Sequence, residues 1–193
     1  MVPGRGCIPA ALLACLAGTA CASTSAVSSS SPRSPSPPPR TAASLSDRVS
    51  AGRSPSASDR CRQFLPFIEE AAREFRIDPA LLVGLVRTES NFRPDARSPV
   101  GALGLTQVLP TTARAKQCGD LLDPKENLRC GAKVLRAFLE WYRGDLYLGL
   151  SGYNAGHGLP NRAAREGTLP GNVDYVESVL WGAARFQRKG CAF

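Results

Sequence analysis

One histidine, one methionine and two tryptophans are all that this chain of 193 residues holds of those types. The single imidazole, His157, stands between two glycines, and no Gly-x-Ser-x-Gly elbow occurs, so Ser-His and Cys-His nucleophile schemes have little to build on. His157 reads as a loop residue. Neither CxxC nor clustered His is present, so no metal and no cofactor are expected. No apolar run reaches the roughly 18 to 20 residues that a membrane span needs. Sustained alternation of apolar and polar residues is also missing, which excludes a fold built from half-buried strands.

Positive charge, by contrast, is in excess. Lys and Arg number 24 against 16 Asp and Glu, a formal charge of +8 with pI near 9.5. Such a chain suits an acidic partner: nucleic acid, an anionic membrane surface or an acidic polysaccharide. Charge alone does not choose among them.

Composition divides the chain into three. Residues 1–21 carry one positive charge at Arg5, then an apolar stretch with small residues and no acid, the pattern of a secretory signal peptide. Cys7, Cys15 and Cys21 lie within it. The change of composition after Cys21 resembles a lipoprotein signal, with Cys21 or Cys15 as the lipidated residue and a membrane anchor, while Gly18-Thr19-Ala20 also suits ordinary cleavage. Residues 22–59 read as a Ser/Pro-rich disordered linker. With 14 Ser, six Pro and no aromatic in 22–58, this stretch cannot bury enough apolar area to offset its ordering entropy. Residues 60–193 are of ordinary single-domain size. They keep four cysteines, an even number that in an exported chain reads as disulfides. Three pairings are possible; proximity favours Cys118 with Cys130, and Cys61 with Cys191 would clasp the two ends.

The domain reads as mainly α. Phe64, Phe67, Ile68, Ala71, Ala72 and Phe75 recur at helical intervals on one face. Asp78-Pro79 supplies a cap and a first-turn proline for an apolar helix over 80 to about 89. Residues 91–104, with two Pro and two Gly, are irregular, and 106–116 looks helical again. Asp123-Pro124 opens a long helix through Leu128, Leu135 and Tyr142. Further helices are expected over 146–154, 161–166 and 174–187. Trp141, Tyr142 and Trp181 read as core residues, with an edge position as the alternative for Trp181.

Glu89 lies four residues after Leu85 and three after Val86, on or beside the inward face of the apolar helix. Burial there raises a carboxyl pKa, as a general acid working near neutral pH requires. A solvated glutamate at a helix end fits the spacing too. Asp95, after Pro94, reads as a turn residue. Arg87, Arg93 and Arg97 suit either acidic groups of a substrate or solvent.

Further pieces follow in order: Glu89-Ser90, Gly104-Leu105-Thr106-Gln107, Gly152-Tyr153-Asn154-Ala155-Gly156 and Tyr175-Val176. Over residues 64–180 this succession resembles the catalytic domain of the soluble lytic transglycosylase (SLT) family, which implies a lysozyme-like fold of the goose type. The resemblance assigns Glu89 as the catalytic acid and Ser90 as a hydroxyl that orients the carboxyl or the sugar. It assigns Gln107, Tyr153, Asn154 and Tyr175 to the glycan-binding cleft. It implies cleavage of the β-1,4 bond between N-acetylmuramic acid and N-acetylglucosamine, leaving 1,6-anhydro ends, with Glu89 acting first as acid and then as base. The implied partner is a peptidoglycan strand and not nucleic acid, the implied place the periplasm, with or without outer-membrane anchoring, and the implied state a monomer. A hydrolytic muramidase of the goose type, or a catalytically weak peptidoglycan-binding module, are the alternatives. Three positions depart from the family pattern: Thr106 replaces Met, Gly152 replaces Ala, and Gly171-Asn172 stands where many members carry Glu-Thr.

Overall fold

In the computed structural model, which describes residues 54–193, the first helix, α1, runs Ala57–Glu74. The stretch read as a signal segment, with Cys15 and Cys21, and the stretch read as a linker up to residue 53 lie outside the described residues. Helix α1 begins inside the stretch assigned to the linker because Ser56 and Asp59 form a capping box. The Asp59 amide donates to Ser56 Oγ at 3.1 Å, and the Ser56 amide donates to Asp59 Oδ2 at 3.0 Å.

Helix α2, Pro79–Ser90, starts as the Asp-Pro pair predicts, with Asp78 Oδ1 accepting from the Ala80 amide at 2.8 Å. It is buried from Ala80 through Val86 and ends where Asn91 turns left-handed at φ 51°. Helices α3 Pro110–Ala115, α4 Pro124–Trp141, α5 Leu146–Ala155, α6 Gly158–Glu166 and α7 Val173–Lys189 follow. The expected helix over 106–116 is shorter at its start. Leu103 pairs antiparallel with both Arg97 and Val108, the latter across a tight turn over 104–107, so the helix starts only where Pro110 sets its first turn.

Helix α2 is the axis of the core, with α7 laid across it. Two glycines make the crossing possible. A Cβ on Gly84 would stand 2.8 Å from the Ala183 amide nitrogen, and one on Gly182 would stand 3.1 Å from the Gly84 Cα. Ile68, Leu135, Leu150 and Val179 cluster with its Leu82 and Leu85. No described helix is long and apolar enough to cross a membrane.

Both favoured disulfides form, Cys61 with Cys191 and Cys118 with Cys130, at Cα separations of 5.6 and 5.5 Å. The first ties α1 to the chain end, where the Phe193 amide also donates to Ser58 Oγ at 3.2 Å. Their sequence separations are 130 and 12 residues. Loop-closure entropy therefore predicts that replacing the end clasp by Ser at both positions costs roughly 5 kcal/mol, against roughly 3 kcal/mol for the short bridge. Urea midpoints of the two double variants measure this, and equal midpoints would contradict the ranking.

Candidate active site

The last turn of α2 delivers Glu89 to a cleft bounded by the irregular stretch after α2, the start of α3 and the C-terminal end of α5. Among the described residues that line this cleft, Glu89 is the one carboxylic acid; Ser98, Gln107, Thr112, Tyr153 and Asn154 are there with it. Burial raises the Glu89 carboxyl from its ordinary range to about 7, while a hydrogen bond from Tyr175 pulls the other way. That bond is short: Tyr175 OH donates to Glu89 Oε1 at 2.6 Å. Burial, and next the adjoining carboxylate, push the Tyr175 phenol well above its usual range, so it remains a donor. Tyr153, its phenol raised by the same two causes, donates to the Thr106 carbonyl at 2.7 Å.

Gln107 sits in the left-handed region at φ 50°, and its Nε2 donates to the Gly104 and Ala96 carbonyls at 2.9 and 3.1 Å. Its amide oxygen has no hydrogen-bond partner among the described residues and is left for the cleft. Asn154 Oδ1 accepts from Asn172 Nδ2 at 2.9 Å, and Asn172 Oδ1 in turn accepts from Ser151 Oγ at 2.6 Å. This chain fixes the amide of Asn154 so that its two N–H donors are free.

Three expectations change on this geometry, those for Ser90, Arg87 and Trp141. Ser90 is buried, and its hydroxyl is directed at the Leu105 and Val86 carbonyls, 2.8 and 3.1 Å away. It therefore ties the end of α2 to the loop beneath the cleft and does not face a sugar. Arg87 lies across the helix from Glu89, over the rings of Trp181 and Phe193 at 4.8 and 4.9 Å. Trp141, at the last position of α4, is exposed and not core, because the apolar stripe of α4 faces α1 and α5; Trp181, on the outer side of α7, stands half-exposed at the core's edge, because the stripe of α7 faces α2 and α5. Asp95 is in a turn, as expected, and lies in a separate depression with Pro94, Arg97 and Leu122.

The sequence did not point to Asn127. It is fully buried on α4, and its Oδ1 accepts from the Thr106 amide at 2.9 Å and from Thr106 Oγ1 at 2.7 Å. Its Nδ2 donates to the Leu103 and Leu121 carbonyls at 2.9 and 3.1 Å. One satisfied amide thus holds the loop that carries Gln107 and the carbonyl that anchors Tyr153. Thr106, a departure from the family pattern, supplies the hydroxyl that completes this set.

The family described as "Transglycosylase SLT domain" matches residues 66–169, more than half of the chain. The chain belongs to the SLT domain family. Among relatives of this SLT domain, a transglycosylase of Enterobacteria phage PRD1 is 36% identical over 120 residues, covering 62% of this chain and 45% of the phage protein. A membrane-bound lytic murein transglycosylase C of Actinobacillus succinogenes is 34% identical over 117 residues, covering 51% of this chain and 33% of that one. The chain spans less than half the length of these relatives. Among solved structures, an inactive mutant of the lytic transglycosylase Slt from Pseudomonas aeruginosa superposes with a TM-score of 0.58 at 27% identity, over 64% of this chain and 24% of that one. The 70 kDa soluble lytic transglycosylase of Escherichia coli shares the fold, with a TM-score of 0.59 at 24% identity over 64% of this chain and 24% of its own.

In this SLT domain Tyr175→Phe separates the two influences on Glu89. The ring stays, so burial stays, but the hydrogen bond that favours the ionised carboxylate is gone. The carboxyl pKa should therefore move above about 7. Titration of the Glu89 carboxyl by NMR reads this, and a pKa displaced downward would contradict it.

Proposed function

We propose that this SLT domain is a peptidoglycan lytic transglycosylase, acting on the β-1,4 bond between N-acetylmuramic acid and N-acetylglucosamine. The observation that carries the reading is a lone cleft carboxyl, Glu89, held protonated close to neutral pH by burial. A general acid works best when its pKa lies near the operating pH. Ordinary glycosidases pair it with a second carboxylate, which activates water or attacks the sugar. A cleft with one acid suits a route in which the substrate supplies the nucleophile.

In that route Glu89 protonates the leaving glycosidic oxygen, and the C1–O bond breaks. The resulting carboxylate then takes the proton of the muramyl C6 hydroxyl as its oxygen closes onto C1, giving a 1,6-anhydro ring and regenerating the acid. The acetamido oxygen of the substrate stabilises the oxocarbenium-like centre in between. Tyr175 holds the carboxyl in place through its 2.6 Å bond. Asn154 and the Gln107 oxygen offer donors and an acceptor to sugar hydroxyls and amides.

Export fits the two disulfides, which persist in oxidising compartments. The proposed place of action is the periplasm, with the domain either free or tethered through a lipidated Cys21 or Cys15; labelled fatty acid in the membrane fraction tests the tether. Purified sacculi test the activity. The protein should clear their suspension and release soluble muropeptides, and a protein that binds sacculi without releasing any fragment would contradict enzymatic action.

A further inference from the structure

Beyond the reacting centre the cleft continues. Leu109, Thr112, Val134, Tyr153 and Asn154 line both the compartment of about 280 Å³ at Glu89 and a neighbouring one of about 660 Å³. The second compartment runs along α4 from Val134 to Trp141, seven residues and so roughly 10 Å, more than the span of one pyranose ring.

At its far end stands an aromatic group that the proposed chemistry does not use. Trp141 is 66% exposed, a large apolar surface left in water. It is not loosely held. Its ring is tilted against His157 at a centroid distance of 4.9 Å, and His157 also meets the rings of Phe138 at 4.9 Å and Tyr142 at 6.0 Å. His157 Nδ1 is 3.1 Å from Tyr142 OH, which donates to Asn161 Oδ1 at 2.9 Å. The imidazole, held by Phe138 and Tyr142, thus packs as a prop against the indole, and both line the compartment.

We propose that Trp141, propped by His157, is a distal saccharide platform, on which a sugar ring of the same glycan strand stacks its apolar face while the scissile bond lies at Glu89. The occupant follows from continuity with the catalytic cleft and from the chemistry of the walls. An exposed indole offers a flat apolar face, while Asn154, Lys116 and Thr112 offer polar contacts at the edges, the mixture that a pyranose presents in return. The inference rests on the glycan reading of the cleft and extends it from one linkage to a length of strand.

Strand affinity tests it without turnover. Full-length Glu89→Gln protein is titrated with peptide-free glycan strands prepared from sacculi, as a tetrasaccharide fraction and as a long-strand fraction. The same is done with Trp141→Ala and Trp141→Phe added. Long strands should bind the Glu89→Gln protein more tightly than short ones. Trp141→Ala should weaken the long strands by about tenfold and collapse the ratio between the fractions, and Trp141→Phe should restore most of it. Because Trp141 is exposed, circular dichroism and Tm should be those of the parent. An unchanged ratio in Trp141→Ala, whatever the absolute affinities, overturns the platform and leaves the glycan reading standing. Failure of the Glu89→Gln protein to bind either fraction overturns both.

Discussion

Glu89→Gln should lower turnover of sacculi by at least three to four orders of magnitude. General acid and general base assistance are each worth roughly two to four orders, and this one carboxyl is assigned both tasks. The amide keeps the size of the acid and the oxygen that accepts from Tyr175, so the cleft should keep its shape and its hold on glycan. The same substitution should stabilise the fold in a defined pH window. The folded-state pKa of Glu89 is about 7 against an ordinary 4.5, so its stability contribution is intact below about 4.5 and is lost as pH rises through 7. Above pH 7 the parent therefore carries a penalty of up to about 3 kcal/mol that the amide lacks. Thermal unfolding should place Glu89→Gln above the parent at pH 8 and level with it at pH 4. Retention of most of the parental rate would remove Glu89 from the mechanism, and a stability gain confined to acid pH would contradict the burial argument.

Gly84→Ala should be the most damaging small change outside the cleft. The added methyl would meet backbone, the Ala183 nitrogen at 2.8 Å and its Cα at 3.3 Å, so no rotamer relieves it and α7 must move. Overpacking of this kind costs typically 1 to 3 kcal/mol, more than the roughly 1 kcal/mol that Ala contributes over Gly in a helix. Helix α7 also carries Tyr175, so the displacement should lengthen the bond to Glu89 and lower the rate together with the Tm. Gly158→Ala, where a Cβ meets nothing within 4 Å, is the control and should change stability by no more than about 0.5 kcal/mol. Equal unfolding midpoints for the two variants would contradict the close crossing of α2 and α7.

What the sequence made legible was local. Asp78-Pro79 and Asp123-Pro124 mark two helix starts because cap and proline act within one turn, and Glu89 is legible because its neighbours Leu85 and Val86 set the inward face. That the stretch after α2 is irregular was legible in its Pro and Gly; what holds it was not, since that is Asn127, more than 20 residues away in sequence, through bonds that no periodicity records. The inward turn of Ser90 depends on the Leu105 carbonyl, supplied by the same stretch. Nor does the sequence distinguish Trp141 in solvent from Trp141 in the core, because the last residue of α4 lies at the edge of the apolar stripe and only the placement of α5 and α6 decides. The role of Asn172 was half legible: the departure from Glu-Thr was visible, and its bond to Asn154 was not.

Mass spectrometry of the muropeptides that the protein releases from purified sacculi tests the central claim most directly. Ring closure by the C6 hydroxyl adds no water, so every new glycan end should be a 1,6-anhydro-muramic acid, about 18 mass units lighter than a hydrolysed end. Reducing ends at the cleaved linkages would contradict the account: Glu89 would then be the acid of a muramidase, with water in place of the sugar's own hydroxyl.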